Sequence, residues 1–194
     1  AVILGGGVIG VEFASIWRSF GAEVTIIEAL DRLLPAEDAA MSKAIERAFR
    51  KRGISARTGV RFAGAESRAD GVRVSLEDGT ELEADVLLVA VGRGPATAGL
   101  GLEEAGVELD RGFVRVDERL RTTRDRVWAV GDIVPGLQLA HRSFQQGIFV
   151  AEEIAGLRPT VIPDSLVPRV TYSSPEVASV GLTEEQARAE HGDA

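Results

Sequence analysis

The fold of this chain is decided by residues 2–10, which read Val-Ile-Leu-Gly-Gly-Gly-Val-Ile-Gly. The apolar residues at positions 2–4 predict a short buried strand, and Gly5, Gly7 and Gly10 match the pattern G-x-G-x-x-G. In that pattern the first glycine lets the chain turn sharply, the second lets the backbone touch a pyrophosphate, and the third lets helix and strand pack closely. The N-terminus of the following helix offers free N–H groups to phosphates. The stretch therefore predicts a dinucleotide-binding site.

Outward from this stretch, the hydrophobic periodicity predicts a parallel α/β unit followed by an antiparallel meander. A succession of strand, helix, strand and helix forms the right-handed crossover unit of a parallel sheet. Asp-Gly pairs at 70–71 and 78–79 are hairpin turn signals. We expect the apolar run Val86–Val91 to return to the buried sheet. The predicted elements are helices over 8–20 and 37–53 and strands over 24–27, 60–68, 72–77 and 80–91.

A second region begins near Pro95, where the alternation of strands and helices is less regular. Its last predicted helix carries Thr183 as N-cap, with Gln186 three residues on, which is the pattern of a capping box. The predicted elements are strands over 113–116 and 127–130, a helix over 140–155, a proline-containing linker over 159–168, a strand over 169–172 and a helix over 183–190.

An acidic residue follows the glycine pattern at the spacing of a ribose-binding carboxylate. Glu28 lies 18 residues after Gly10, at the end of the second predicted strand. A carboxylate there accepts hydrogen bonds from ribose hydroxyls and repels a 2′-phosphate. No arginine pair follows it directly, since the next basic residue is Arg32. The residue therefore predicts binding of NAD(H) rather than NADP(H). The alternative is that Glu28 only ends the strand in solvent and binds no ligand.

Composition excludes several other kinds of function. The 194 residues carry a formal net charge of −8 and show no basic block, which argues against nucleic acid as a partner. No run of about 18 apolar residues is present, so we expect no membrane segment. The absence of cysteine excludes a thiol nucleophile and a thiolate metal site within this chain, and His141 and His191 are too few for a histidine-built metal site. We expect a cytoplasmic protein without a metal.

The way the chain begins leads us to expect a piece of a longer protein. It opens on four apolar residues, and its only methionine is Met41. A native start would normally carry an initiator or a solvated tail.

Three further residues have a simple structural explanation beside a functional one. Glu12 falls in the first turn of the glycine-loop helix, where an acid is favoured by the helix dipole alone. Asp132, after Gly131, either binds the hydroxyls of a ribose or ribityl chain or makes a turn. His141 begins a predicted helix, where a surface or capping role is commoner than catalysis.

Taken together, these segments resemble the flavoprotein disulfide reductases, and within that family the branch that acts on lipoamide. The resemblance implies an α/β fold with a Rossmann-like NAD-binding domain over 1–93 that contains an antiparallel β-meander insertion. It further implies the C-terminal part of an FAD-binding domain over 94–163 and the beginning of an α+β dimer-interface domain over 164–194. The matching segments are Gly5–Ala14, Val91–Arg93, Ala129–Asp132, Leu139–Arg142 with Gly147, Val167–Tyr172, Pro175–Ala178 and Val180–Gly181.

The resemblance implies two cofactors, NAD and FAD. It places Glu12 near the nicotinamide, and Gly92 where NAD approaches closely. It also aims the helix N-terminus at His141 toward the pyrimidine edge of the flavin, where a positive dipole end stabilises reduced flavin. The implied NAD-binding residues are Gly5, Gly7, Val8, Ile9, Gly10, Glu12, Glu28 and Gly92, and the implied FAD-binding residues are Asp132, Leu139, Ala140 and His141.

No catalytic residue of such an enzyme is present in this chain. The family carries a redox cysteine pair and a second glycine fingerprint in its first domain, and a His–Glu pair in its interface domain. The resemblance implies that the parent protein passes electrons from dihydrolipoamide to a disulfide, then to flavin and then to NAD. It also implies a homodimer that serves the lipoyl domain of a 2-oxo acid dehydrogenase complex. We expect these residues alone to be inactive and to retain FAD poorly.

Other members of the family share much of this layout, so alternatives stay open. They are a soluble transhydrogenase, a mercuric or glutathione reductase, and a non-catalytic NAD-binding module that never needed cysteine.

Overall fold

The computed structural model describes residues 1–192 and places the residues before the glycine pattern in a parallel sheet. The described chain divides into two compact units: residues 1–92 with the chain from Val170 on, and residues 93–169. The division into residues 1–93, 94–163 and 164–194 stays a prediction, and positions 193 and 194 lie outside the described residues.

Up to residue 92 the elements of the first unit are β1 (Val2–Leu4), α1 (Val8–Ser19), β2 (Val24–Ile27), α2 (Ala39–Arg52), β3 (Ile54–Arg57), β4 (Phe62–Arg68), β5 (Gly71–Leu76), β6 (Glu81–Ala84) and β7 (Leu87–Val89). They form a parallel sheet of the order β3-β2-β1-β7 and an antiparallel sheet of the order β4-β5-β6. This arrangement confirms the predicted crossover unit and the predicted meander.

Alternation along β1 divides the core of this unit into two layers. Ile3 is fully buried in a cluster with residues of both helices, among them Phe49. Val2 and Leu4 belong to a second cluster with Val74 of the antiparallel sheet. The parallel sheet is therefore covered by α1 and α2 on one face and by the meander on the other.

The strands of this unit differ from the prediction in two details. Strand β3 is not among the predicted elements; it is only four residues long and has Ile54 as its only large apolar residue. The predicted strand over 80–91 is two strands, and Val86, Val89 and Val91 are half or more exposed instead of buried. In the described part of the chain β7 is an edge strand that pairs with β1, so only part of its surface meets the core.

The second unit holds β8 (Leu109–Asp110), β9 (Phe113–Val114) and α3 (Ala140–Ile154), and its small core includes Val114 and Val134. The predicted strand over 127–130 is absent from the structure of the described residues. Trp128 forms only an isolated bridge with Arg121. A strand needs a ladder partner along its whole length, and apolar composition alone does not supply one.

The chain returns to the first unit after residue 169. The strands β10 (Arg169–Thr171) and β11 (Val177–Ser179) pair, and α4 (Glu184–His191) follows. Val177 packs into the cluster that contains Ile3. The predicted capping box of α4 is confirmed, since Thr183 and Gln186 exchange side-chain and backbone hydrogen bonds. Among the described residues, no helix is both long and apolar enough to cross a membrane.

Candidate functional site

The backbone around the glycine pattern requires glycine at two of its positions. Gly5 has a φ of 107°, and a Cβ atom there would lie 2.2 Å from the carbonyl oxygen of Ala90. A Cβ on Gly10 would lie 1.9 Å from the carbonyl oxygen of Gly5. These glycines therefore let the end of β1, the start of α1 and the residues after β7 approach closely.

Gly7 is different, because the protein itself places nothing beside it. A Cβ there would meet no atom within 4 Å. Gly7 is the N-cap of α1, with a φ of −75° that suits any residue, and its helix has no side-chain cap. The N–H groups of the first turn have no intrahelical partner and carry the positive end of the helix dipole. The open space at Gly7 therefore fits a phosphate group, as the pattern predicts.

The carboxylate of Glu28 is held beside this loop by two backbone donors. Its Oε2 accepts the N–H of Gly6 at 2.6 Å, and its Oε1 accepts the N–H of Leu30 at 2.7 Å. A carboxylate accepts about four hydrogen bonds, so it keeps capacity for ribose hydroxyls. The sequence did not indicate the role of Gly6, whose Cβ would lie 3.1 Å from the Glu28 side chain and 2.6 Å from that of Leu33.

A cavity of about 210 Å³ opens at the carboxyl ends of the parallel strands. Ligands of open α/β sheets bind at this edge. The volume is smaller than that of a site for a whole drug-sized ligand, and one acid stands among mostly apolar walls, which suits one end of a dinucleotide. The lining residues are Leu4, Gly5, Ile27, Glu28, Ala29, Val60, Phe62 and Val91.

Glu12 and Gly92 lie outside the lining of that cavity. The Oε1 atom of Glu12 accepts the backbone N–H of Tyr172 at 2.7 Å, a contact that the sequence did not indicate. Gly92 has a φ of 140°, and a Cβ atom there would meet no atom within 4 Å, so a ligand could approach the backbone closely at this position. Val8 is partly exposed at the start of α1, next to Ile9.

The residues predicted to bind FAD lie in the second unit, on one loop and the helix that follows. Asp132 is exposed on a single 3-10 turn over 131–133, and α3 begins after Leu139 with no side-chain cap. The first turn of α3, which contains Ala140, therefore presents free N–H groups. An exposed carboxylate and a free helix N-terminus are groups that fit ribityl hydroxyls and a flavin edge.

The imidazole of His141 contacts a backbone carbonyl and is not free at that helix N-terminus. Its Nε2 atom lies 2.8 Å from the carbonyl oxygen of Pro168. Because a carbonyl oxygen only accepts, Nε2 carries the proton in this contact. The backbone at His141, rather than its ring, is the part available to a cofactor.

Within residues 1–192, no three or more His, Cys, Asp or Glu side chains form a group that could hold a metal ion. The sequence contains no cysteine. Dithiol chemistry therefore requires groups that the chain does not carry.

Comparison with known proteins agrees with this geometry. Residues 1–147 match the family model of the pyridine nucleotide-disulphide oxidoreductases, and residues 167–194 match that of their dimerisation domain. A dihydrolipoyl dehydrogenase of Chlorobaculum parvum is 42% identical over 190 residues, which cover 96% of this chain and 40% of that protein. The dihydrolipoyl dehydrogenase of Bacillus subtilis is also 42% identical, over 193 residues that cover 97% of this chain and 41% of that protein.

The solved structures that resemble the chain include the HOCl-induced flavoprotein disulfide reductase RclA of Escherichia coli. It matches with a TM-score of 0.89 at 39% identity, over 99% of this chain and 44% of that one. The chain spans about 40% of the length of the curated relatives it matches. FAD and NAD(H) are the cofactors of these proteins, and the two groups of residues described above fit them. With a family model matched over residues 1–147, the chain belongs to the pyridine nucleotide-disulphide oxidoreductase family.

Proposed function

We propose that this chain is the NAD-binding region and part of the FAD-binding region of an NAD-dependent dihydrolipoyl dehydrogenase. The whole enzyme converts dihydrolipoamide and NAD⁺ into lipoamide, NADH and a proton. Its redox disulfide and its acid–base pair lie outside this chain. The relatives of this name at 42% identity support the assignment.

The observation that carries the proposal is the position of Glu28 beside the glycine loop. Its carboxylate is fixed by the N–H groups of Gly6 and Leu30 at the edge where adenosine would lie. In that place it accepts ribose hydroxyls and repels a 2′-phosphate, which favours NAD over NADP. The bound nicotinamide cofactor supplies the hydride acceptor, while these residues bind and orient it.

The remaining assignments follow the same proposal. Residues 1–93 bind NAD, residues 94–163 complete an FAD-binding domain, and residues 164–194 begin a dimer-interface domain. Asp132 and the helix N-terminus from Leu139 to His141 hold FAD. The whole protein is a cytoplasmic homodimer that accepts the lipoyl domain of a 2-oxo acid dehydrogenase complex.

Titration calorimetry of this chain with NAD⁺ and NADP⁺ tests the nucleotide assignment. We expect NAD⁺ to bind at least about tenfold more tightly, since the fixed carboxylate disfavours a second negative group. Glu28→Gln, which removes the charge and keeps one acceptor, should narrow the difference. Equal or tighter binding of NADP⁺ to the unchanged chain contradicts the proposal.

Activity tests the enzyme assignment. Residues 1–194 alone should not turn over NADH and lipoamide, because they lack a thiol. The protein from the complete reading frame should oxidise dihydrolipoamide with NAD⁺. A second candidate is a flavoprotein disulfide reductase of another specificity, which the 39% identity to RclA supports. In that case the complete protein would be flavin-loaded and oxidise NADH but leave lipoamide unchanged.

A further inference from the structure

The loop over 131–139 connects the two features proposed to hold FAD. Asp132 lies at its beginning, and the N-terminus of α3 at its end. Groups that bind one rigid ligand must be held within about 0.5 Å of their productive positions. The contacts that fix the shape of this loop therefore bear directly on the flavin site.

Two charged side chains, Arg142 of α3 and Asp164 of the proline-containing linker, form hydrogen bonds with the middle of this loop. Arg142 donates from Nε to Oδ1 of Asp164 at 2.6 Å and from Nη2 to the carbonyl oxygen of Pro135 at 2.8 Å. The other oxygen of Asp164 accepts the N–H of Leu137 at 3.2 Å. The ion pair thus contacts the loop through an acceptor and a donor of its backbone, two residues apart.

The loop is shaped to lie against this pair. Gly136 lies between Pro135 and Leu137 with a φ of 116°. A Cβ on Gly136 would lie 2.3 Å from Nη2 of Arg142 and 2.3 Å from Oδ2 of Asp164. No other residue type fits between the loop and the ion pair in this arrangement.

Stability alone explains this arrangement poorly. The Arg142 side chain is 9% exposed, and its Nη1 atom is buried without a hydrogen-bond partner among the described residues. Removing a guanidinium from water costs much of what an ion pair returns, and an unpartnered donor adds to that cost. A well-packed apolar side chain would serve a purely structural role as well.

We propose that Arg142 and Asp164 are positioning residues of the flavin site, which fix the loop over 131–139 so that Asp132 and the N-terminus of α3 face the cofactor together. The inference rests on the proposed FAD-binding role of this unit. Neither residue contacts the proposed ligand; both act through the backbone of the loop.

The experiment uses the flavin-loaded protein made from the complete reading frame. Arg142→Met keeps the length of the side chain and removes its donors, and Arg142→Lys keeps the charge but cannot reach Asp164 and Pro135 with a planar fork. We expect the first change to weaken FAD binding by about tenfold or more and to shift the visible flavin spectrum, and the second to do so partly. Asp164→Asn should resemble the lysine variant.

A matched control lies at the other end of the same helix. Arg119 forms an ion pair with Glu153 and reaches the carbonyl oxygen of Pro159, away from the loop. Arg119→Met should lower the melting temperature and leave FAD affinity and the flavin spectrum unchanged.

Three results would overturn the inference, and they differ from one another. A folded Arg142→Met protein with unchanged FAD affinity and spectrum removes the positioning role. Equal losses in the Arg119 and Arg142 variants reduce it to general stability. If Arg142→Met does not fold, the lysine variant decides by the same two readouts. Failure of the unsubstituted complete protein to bind FAD removes both the inference and the proposed function.

Discussion

The carboxylate of Glu28 accepts the backbone N–H of Gly6 at 2.6 Å, across 22 residues of sequence. The acid at the end of β2 therefore has two tasks. It faces the cavity where a nucleoside would lie, and it ties the glycine loop to the second strand. A substitution made to change nucleotide preference will also release this loop.

Glu28→Ala should therefore lower both stability and affinity. Loss of both hydrogen bonds to a charged acceptor costs about 1–3 kcal/mol in the free energy of unfolding, and NAD⁺ binding should weaken with it. Denaturant unfolding and calorimetry measure the two effects. Glu28→Gln, which retains one acceptor oxygen, serves as the control and should lose less of each. An alanine variant of unchanged stability would show that the contact with Gly6 is not maintained in solution.

Substitution by alanine should lower nucleotide affinity at Gly7 and stability at Gly5. Gly7→Ala meets no atom of the protein, so the chain should fold, with a melting temperature lowered only slightly because alanine is a poorer N-cap, and lose NAD⁺ affinity by about tenfold or more. Gly5→Ala places a Cβ against Ala90 at a positive φ and should cost about 3 kcal/mol or more in stability. Thermal unfolding and nucleotide titration of the pair give the answer. Full NAD⁺ affinity in the Gly7 variant would remove the phosphate site from this helix.

Glu12 offers a test of where the nicotinamide end of NAD lies. If it lies near Glu12, as the resemblance implies, Glu12→Ala should weaken binding of NAD⁺ and leave binding of ADP-ribose, which lacks the nicotinamide, nearly unchanged. Glu12→Gln is the control, because it retains an acceptor for the N–H of Tyr172. Equal losses for both ligands would indicate that the residue acts through the fold of α1.

Glu153 should make the second unit sensitive to acid. Hydrogen bonds and charges from Arg119, and then from Arg121, lower its pKa from 4.5 to about 2, against the opposing effect of burial. A carboxyl whose pKa is lower in the folded state stabilises the fold fully above its unfolded pKa and loses this contribution as the pH falls to the folded value. We expect stability to fall between pH 4.5 and about pH 2.

Glu153→Gln should remove the part of this fall that Glu153 causes, which thermal unfolding at a series of pH values measures. Glu118→Gln is the matched control, because Glu118 is an exposed acid and this substitution removes the same charge. It should leave the acid sensitivity as it is. Identical pH profiles for the unchanged protein and the Glu153 variant would contradict the prediction.

Local patterns in the sequence predict the local structure well. The strand before the glycines, the crossover unit and the capping box of Thr183 depend on residues close together in the chain, and all are confirmed. The strand predicted over 127–130 is wrong because strand formation depends on a partner elsewhere. The edge position of β7, which exposes Val89, has the same origin.

Contacts between distant residues are beyond prediction from these patterns. Glu12 and Tyr172 are separated by 160 residues, and Arg142 and Asp164 by 22, with no pattern that couples either pair. The spacing of glycines and an acid indicates where a nucleotide would lie, because both belong to one continuous βαβ segment. It does not indicate that the acid also accepts a hydrogen bond from Gly6. Every residue except proline has a backbone N–H, so the sequence does not show which of them a side chain will contact.

The first unit is built from both ends of the described chain, and this sets the order in which it can be completed during translation. Val177 belongs to the same apolar cluster as Ile3, and the N–H of Ser174 bonds to the hydroxyl of Ser15. When translation has proceeded only as far as residue 92, the strands and two helices of this part are present, but the apolar cluster around Ile3 still lacks Val177. A premature stop codon after residue 169 would remove Val177 and the contact of Ser174 with Ser15, so a truncated product should be a target for proteases even though its glycine loop is intact.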